Sequence, residues 1–121
     1  MRKILLVEDE PVLMETYQMI LSTQPYECDY AENGKEALEK CKNKKYDLIL
    51  LDIMMPVMNG IEFIKNLDTI DEMKSKIIIM SNLSSGKELD EAYALGIQKH
   101  LLKSNISPLQ LIAEIRYHLE A

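Results

Sequence analysis

The chain has 121 residues, 47% of them hydrophobic and 28% charged, with a formal net charge of −6. A chain of this length buries roughly two thirds of its unfolded surface around one core, so residues 1–121 read as a single globular domain, with no membrane-length apolar run. The acidic balance counts against direct nucleic-acid contact, which draws on clustered Lys and Arg.

Met1-Arg2 leads straight into a first strand, Lys3–Val7, an apolar run too short for a signal peptide. Pro11 to Ser22 follows as a helix, with Val12, Met14, Met19, Ile20 and Leu21 near helical spacing and Pro11 in the first turn, where its missing donor is harmless. A weaker, alternating strand covers Glu27 to Ala31, and a helix covers Gly34 to Lys42. The third strand is Tyr46 to Leu51. Helix Ile61 to Thr69 and strand Ile77 to Met80 come next, then helix Lys87 to Leu95, stopped by Gly96. Strand Lys99 to Leu102 precedes a last helix that Ser107-Pro108 opens as cap and first-turn proline. Its apolar stripe is Leu109, Leu111, Ile112, Ile115 and Leu119.

Continuous Ile/Leu/Val runs mark strands buried on both faces, as in a parallel sheet covered by helices. The alternating order βαβαβαβαβα, with right-handed crossovers, is best satisfied by an α/β fold: a five-stranded, doubly wound, flavodoxin-like parallel sheet of order 2-1-3-4-5. Cys28 and Cys41 form no CxxC pair and have no His at metal-ligand spacing. They read as reduced thiols, which suits a cytoplasmic protein.

In that order the tips of strands one and three are neighbours, and both carry acids. Glu8 and Asp9 end the first strand and Asp52 ends the third. Two like charges about 4 Å apart repel by about 4 kcal/mol at an effective dielectric near 20, so the cluster asks for a cation. Hard oxygens in small number suit Mg²⁺ better than Ca²⁺, which takes more ligands. The competing reading makes Glu8, Asp9 and Glu10 acids that complement the dipole of the helix starting at Pro11, and it describes Glu10 well. The next two strand tips carry Ser81 and Lys103. Each has an ordinary reading, as a turn residue and as a solvated strand end. Beside Asp52 they add a hydroxyl and an ammonium, the donors a phosphoryl group on that carboxylate would need.

These strings, KILLVEDEP, AENGKEAL, YDLILLDIMMPVMNG, IIIMSN and LLKS, resemble the receiver domain of two-component response regulators over essentially the whole chain, most specifically around Asp52. The resemblance implies the same strand order. It implies a regulatory switch rather than an enzyme, with Asp52 as phosphoacceptor, Mg²⁺ held by Glu8, Asp9, Asp52 and the backbone carbonyl of Met54, and Ser81 and Lys103 on the phosphoryl oxygens. The donor would be a histidine kinase, a phosphotransfer protein or a small phosphodonor. The output face would run over Lys87–Leu95, Lys99–Leu102 and Pro108–Leu119, meeting a downstream protein or a fused output domain.

The chain departs from the family pattern at several positions. Ser104 follows Lys103 where the family usually has a cis proline, so a trans bond and a differently placed loop are expected. His100 takes the place of the usual switch aromatic. Buried, it would make switching pH-sensitive. Asn82, larger than usual, narrows access to the pocket, and Met54 and Leu83 add apolar bulk that cannot orient a hydrolytic water, so slow loss of the phosphoryl group is expected. Gln98-Lys99 replace acids that serve dimer salt bridges in many relatives. The alternative function is a pseudo-receiver that binds partners without phosphorylation. A haloacid-dehalogenase-type hydrolase is disfavoured because Glu8-Asp9-Glu10 is not its DxD, and a flavin module because no phosphate loop follows the first strand.

Overall fold

The computed structural model describes residues 1–68, 70–83 and 86–120. Five parallel strands, β1 (Lys3–Val7), β2 (Glu27–Ala31), β3 (Leu48–Asp52), β4 (Ile77–Ser81) and β5 (Lys99–Leu102), form one sheet of order β2-β1-β3-β4-β5. The helices are α1 (Pro11–Ser22), α2 (Gly34–Asn43), α3 (Gly60–Lys65), α4 (Ile70–Met73), α5 (Lys87–Ala94) and α6 (Pro108–Glu120).

Side chains alternate across each strand, and because both faces of the central strands are covered, Ile4–Val7, Leu48–Leu51 and Ile77–Met80 are apolar throughout, while the edge strands β2 and β5 carry Glu27, Asp29, Lys99 and His100. Leu5, Val7, Ile49, Leu51, Ile77 and Ile79 pack with Ala37, Phe63, Ile64, Met73, Leu89 and Ala92 from α2 to α5. Ile4, Leu6, Leu48, Leu50, Ile78 and Met80 pack with Tyr17 and Leu21 of α1 and Leu111, Ile115 and Leu119 of α6. Two cores thus sandwich the sheet and leave its carboxyl edge free for chemistry.

Helix starts follow the chemistry of their orphan N–H groups. Asn33 caps α2 by accepting from the Glu36 N–H at 2.9 Å, and Asn59 and Glu62 form a reciprocal capping box on α3. Ser107 and Gln110 do the same for α6. At the end of α5, Gly96 takes φ 102° while the Ile97 N–H returns to the Ala92 carbonyl at 3.1 Å, the left-handed stop expected from the sequence.

Several expectations need correction. The third strand starts at Leu48 rather than Tyr46, since the Asp47 carboxylate takes the Lys3 N–H at 2.8 Å, and it ends on Asp52 itself. The helix expected over Ile61–Thr69 ends at Lys65; Thr69 lies outside the described residues, and Ile70–Met73 forms a separate turn not anticipated. On α1 the sheet-facing residues are Tyr17 and Leu21, while Val12 and Met19 are exposed. Leu109 is exposed too, being two residues out of phase with the Leu111, Ile115, Leu119 row.

Candidate functional site

Register brings the sequence-distant residues together. Val7 pairs with Leu51, so Glu8 and Asp9 leave β1 level with Asp52 at the end of β3. Asp52 is level with Met80, one residue before Ser81, and Ser81 is level with Leu102, one residue before Lys103. The acids, the hydroxyl and the lysine therefore all stand at one edge of the sheet.

Carboxylate oxygens of Glu8, Asp9 and Asp52 lie within 4.8 Å of one another. The Lys103 Nζ donates to Glu8 Oε1 at 2.6 Å and lies 3.2 Å from Asp52 Oδ2. These side chains are nearly closed to water: 7% exposed for Lys103, 1% for Glu8 and 8% for Asp52. Glu8 Oε2 also accepts the Glu10 N–H at 3.2 Å, so Glu8 serves the entrance to α1 as well as the cluster. Glu10, the residue preceding α1, makes no side-chain cap of its own.

Burial drives the Asp52 carboxyl up to about 7. Lys103 opposes this shift, and the negative charges of Glu8 and Asp9 reinforce it. For Lys103, burial disfavours the ammonium, but the hydrogen bond to Glu8 and the attraction of Asp52 and Glu8 outweigh it and hold its pKa above the usual lysine value. One ammonium against three carboxylates leaves the cluster short of positive charge. A small divalent cation with hard oxygen ligands fits that donor set.

Ser81 is buried, and its Oγ accepts the Leu83 N–H at 3.0 Å. The hydroxyl proton stays available to a further acceptor. Lys103 begins a single 3₁₀ turn, Lys103–Asn105, and no cis peptide occurs among the described residues. With Ser104 in place of the proline, the lysine side chain still enters the acid cluster.

The remaining positions sit further out. Met54 follows Asp52 by two residues and is 58% exposed, Asn82 is exposed, and Leu83 is half-buried. His100 is half-buried, its Nδ1 2.6 Å from the Tyr93 hydroxyl and the rings edge to face at 5.9 Å. The burial on which its expected pH sensitivity rested is thus only partial. Lys99 pairs within the chain to Glu114 at 2.5 Å. Helices α5 and α6 both touch the edge strand β5, Tyr93 through His100 and Glu114 through Lys99.

The stretch Ile53–Gly60, expected from the sequence as a tight irregular loop, carries Asp52 into α3, which begins at Gly60, but its internal shape was not anticipated. Gly60 donates its N–H to the Ile53 carbonyl at 2.9 Å, and a Cβ there would stand 2.5 Å from the Asp52 carbonyl oxygen. Met58 N–H returns to the Pro56 carbonyl at 2.8 Å around Val57, whose φ is 69°. This is the three-residue turn of the rare, strained hand.

The profile of the response regulator receiver domain matches residues 4–116. The chemotaxis protein CheY of Thermotoga maritima is 35% identical over 103 residues, 84% of this chain and 85% of that protein. The CpxR homolog of Haemophilus influenzae, a transcriptional regulatory protein, is 34% identical over 117 residues, 96% of this chain and 49% of that protein. The chain spans about half the length of the transcriptional regulators it matches. Among solved structures, chemotaxis protein CheY4 of Vibrio cholerae superimposes with a TM-score of 0.86 at 30% identity, covering 98% of this chain and 99% of that one. No described helix is long and apolar enough to cross a membrane. Profile, topology and matched relatives agree: the chain belongs to the response regulator receiver domains, the regulatory signalling domains of two-component systems.

Proposed function

We propose that this receiver is a phosphorylation-activated switch in which Asp52 accepts a phosphoryl group from a histidine kinase, a phosphotransfer protein or a small phosphodonor. Glu8, Asp9, Asp52 and the backbone carbonyl of Met54 would hold Mg²⁺. The observation that carries this reading is the buried convergence of Lys103 with Glu8 and Asp52 from three different strand tips.

An Asp52 carboxylate oxygen forms the new bond to phosphorus while the donor's P–N or P–O bond breaks, the leaving group keeping the electron pair. Bound Mg²⁺ supplies charge that offsets the transferring group's negative oxygens. Lys103, already beside Asp52, donates to one phosphoryl oxygen, and Ser81 turns its free proton to another. If each gains about 1.5–3 kcal/mol, the bias is about 3–6 kcal/mol, against about 5.5 kcal/mol for a nearly complete two-state reversal. The change is read at the α5, β5 and α6 face by a downstream protein or a fused output domain. The domain works in the cytoplasm as a switch, and its autodephosphorylation is slow because Met54 and Leu83 cannot orient water.

Intact-mass measurement after treatment with acetyl phosphate and Mg²⁺ tests the reading. Wild type should gain one phosphoryl group, and neither Asp52→Asn nor chelated wild type should. An unmodified wild type would favour a binding module that works without phosphorylation.

A further inference from the structure

The β3–α3 loop is held at two points. Gly60 clasps its start through the Ile53 carbonyl at 2.9 Å, and the Gly34 N–H, in the first turn of α2, donates to the Met58 carbonyl at 2.8 Å. Between the clasps lie Met54 and the strained turn at Val57. Asn33 caps the Glu36 N–H only, so the Gly34 N–H needs a partner outside its helix, and the loop supplies it.

Gly34 has no conformational need to be glycine. Its φ is not positive, and alanine is the better helix former. What excludes a side chain is the loop. A Cβ would stand 2.7 Å from the Met58 carbonyl oxygen, 2.8 Å from Met58 Cγ and 3.1 Å from the Asn59 carbonyl oxygen. The first and third are backbone atoms that move only if the loop moves.

We infer that Gly34 is a positioning residue for the cation site: by letting the α2 N-terminus touch the loop backbone at Met58, it sets where the loop carries Met54 relative to Asp52. This rests on the Mg²⁺ assignment made above. Gly34 touches neither cation nor phosphoryl group; it acts through the loop.

The test is Mg²⁺ binding to the unphosphorylated protein by calorimetry, for wild type, Gly34→Ala and Leu38→Ala. The last is a destabilising control one turn further along α2. Gly34→Ala should bind Mg²⁺ on the order of tenfold more weakly, the usual range for residues that orient metal ligands from behind. Leu38→Ala should lose thermal stability with unchanged Mg²⁺ affinity. Should Gly34→Ala fail to fold, the Gly34→Ala/Met58→Ala double variant removes the side-chain half of the clash, keeps the carbonyl half, and should still bind weakly. Wild-type affinity in a folded Gly34→Ala or double variant, or an equal loss in Leu38→Ala, overturns the positioning role alone. A wild type that binds no Mg²⁺ overturns the cation assignment and this inference with it.

Discussion

Lys103 is bonded more closely to Glu8, at 2.6 Å, than to Asp52, at 3.2 Å. The lysine therefore holds the acid cluster together. Removing one partner of a buried ion pair typically destabilises by about 3–5 kcal/mol. Lys103→Met, similar in shape and uncharged, should lower stability in chelator by that order, with part of the loss recovered in Mg²⁺. Urea denaturation in both conditions measures it, and an equal loss with and without Mg²⁺ would show that lysine and cation do not share the same charge deficit.

Asp52→Asn should act in the opposite direction. Its carboxylate is buried beside Glu8 and Asp9, so a neutral amide relieves both desolvation and like-charge repulsion. We expect the chelated variant to exceed wild type by about 1–3 kcal/mol. Excess Mg²⁺ at a hundred times its dissociation constant should stabilise wild type by about 2.7 kcal/mol and the variant by much less. Calorimetric melts with and without Mg²⁺ check both statements.

Val57 is β-branched, 75% exposed and held at φ 69°. Left-handed backbone costs a non-glycine residue roughly 1–2 kcal/mol, and so exposed a side chain contributes little burial. Val57→Gly should therefore raise stability by about 1 kcal/mol, net of glycine's greater unfolded-state entropy. A fall in the melting temperature would mean that the Val57 side chain makes a contribution its exposure conceals.

Away from the site, Asp29 Oδ2 accepts from the Tyr46 hydroxyl at 2.7 Å and from Lys44 Nζ at 2.9 Å. The Tyr46 hydrogen bond first, and that of Lys44 second, hold its pKa below the ordinary carboxylate value. A folded pKa below the unfolded one gives stabilisation that is complete above about pH 4 and lost as pH falls through the folded pKa. Asp29→Asn should be less stable than wild type by about 1 kcal/mol at pH 7, and the gap should close on acidification. Urea titrations of both proteins between neutral and acid pH would show it, and a gap that persists undiminished in acid would rule out charge as its origin.

If Asp52 is phosphorylated as proposed, Met54→Asn places an amide two residues beyond it that can hold an attacking water. Decay of the phosphoprotein, followed by intact mass after removing the donor, should be faster in the variant. Equal decay would show that Met54 does not govern hydrolysis.

Much of the fold was legible because burial on both faces forces continuous apolar runs, and these mark β1, β3 and β4 with little ambiguity. Local chemistry placed the starts of α1 and α6 at their prolines and the end of α5 at Gly96. Where a side chain interrupts the local pattern, legibility failed: Asp47 replaces a strand residue before Leu48, and helical spacing alone did not say which apolar side chains of α1 face the sheet. The loop from Asp52 to Gly60 was least legible, since its shape depends on contacts with α2.

The linear chain by itself determined which chemical groups end the strands, because an acid, a hydroxyl or a lysine after an apolar run has nowhere to go but the open edge of the sheet. Tertiary structure alone decided how those groups pair. Whether Lys103 meets Glu8 or Asp52, and what holds the Asp52 loop, depends on strand register and on backbone contacts between segments far apart in sequence, and neither leaves a mark on local composition.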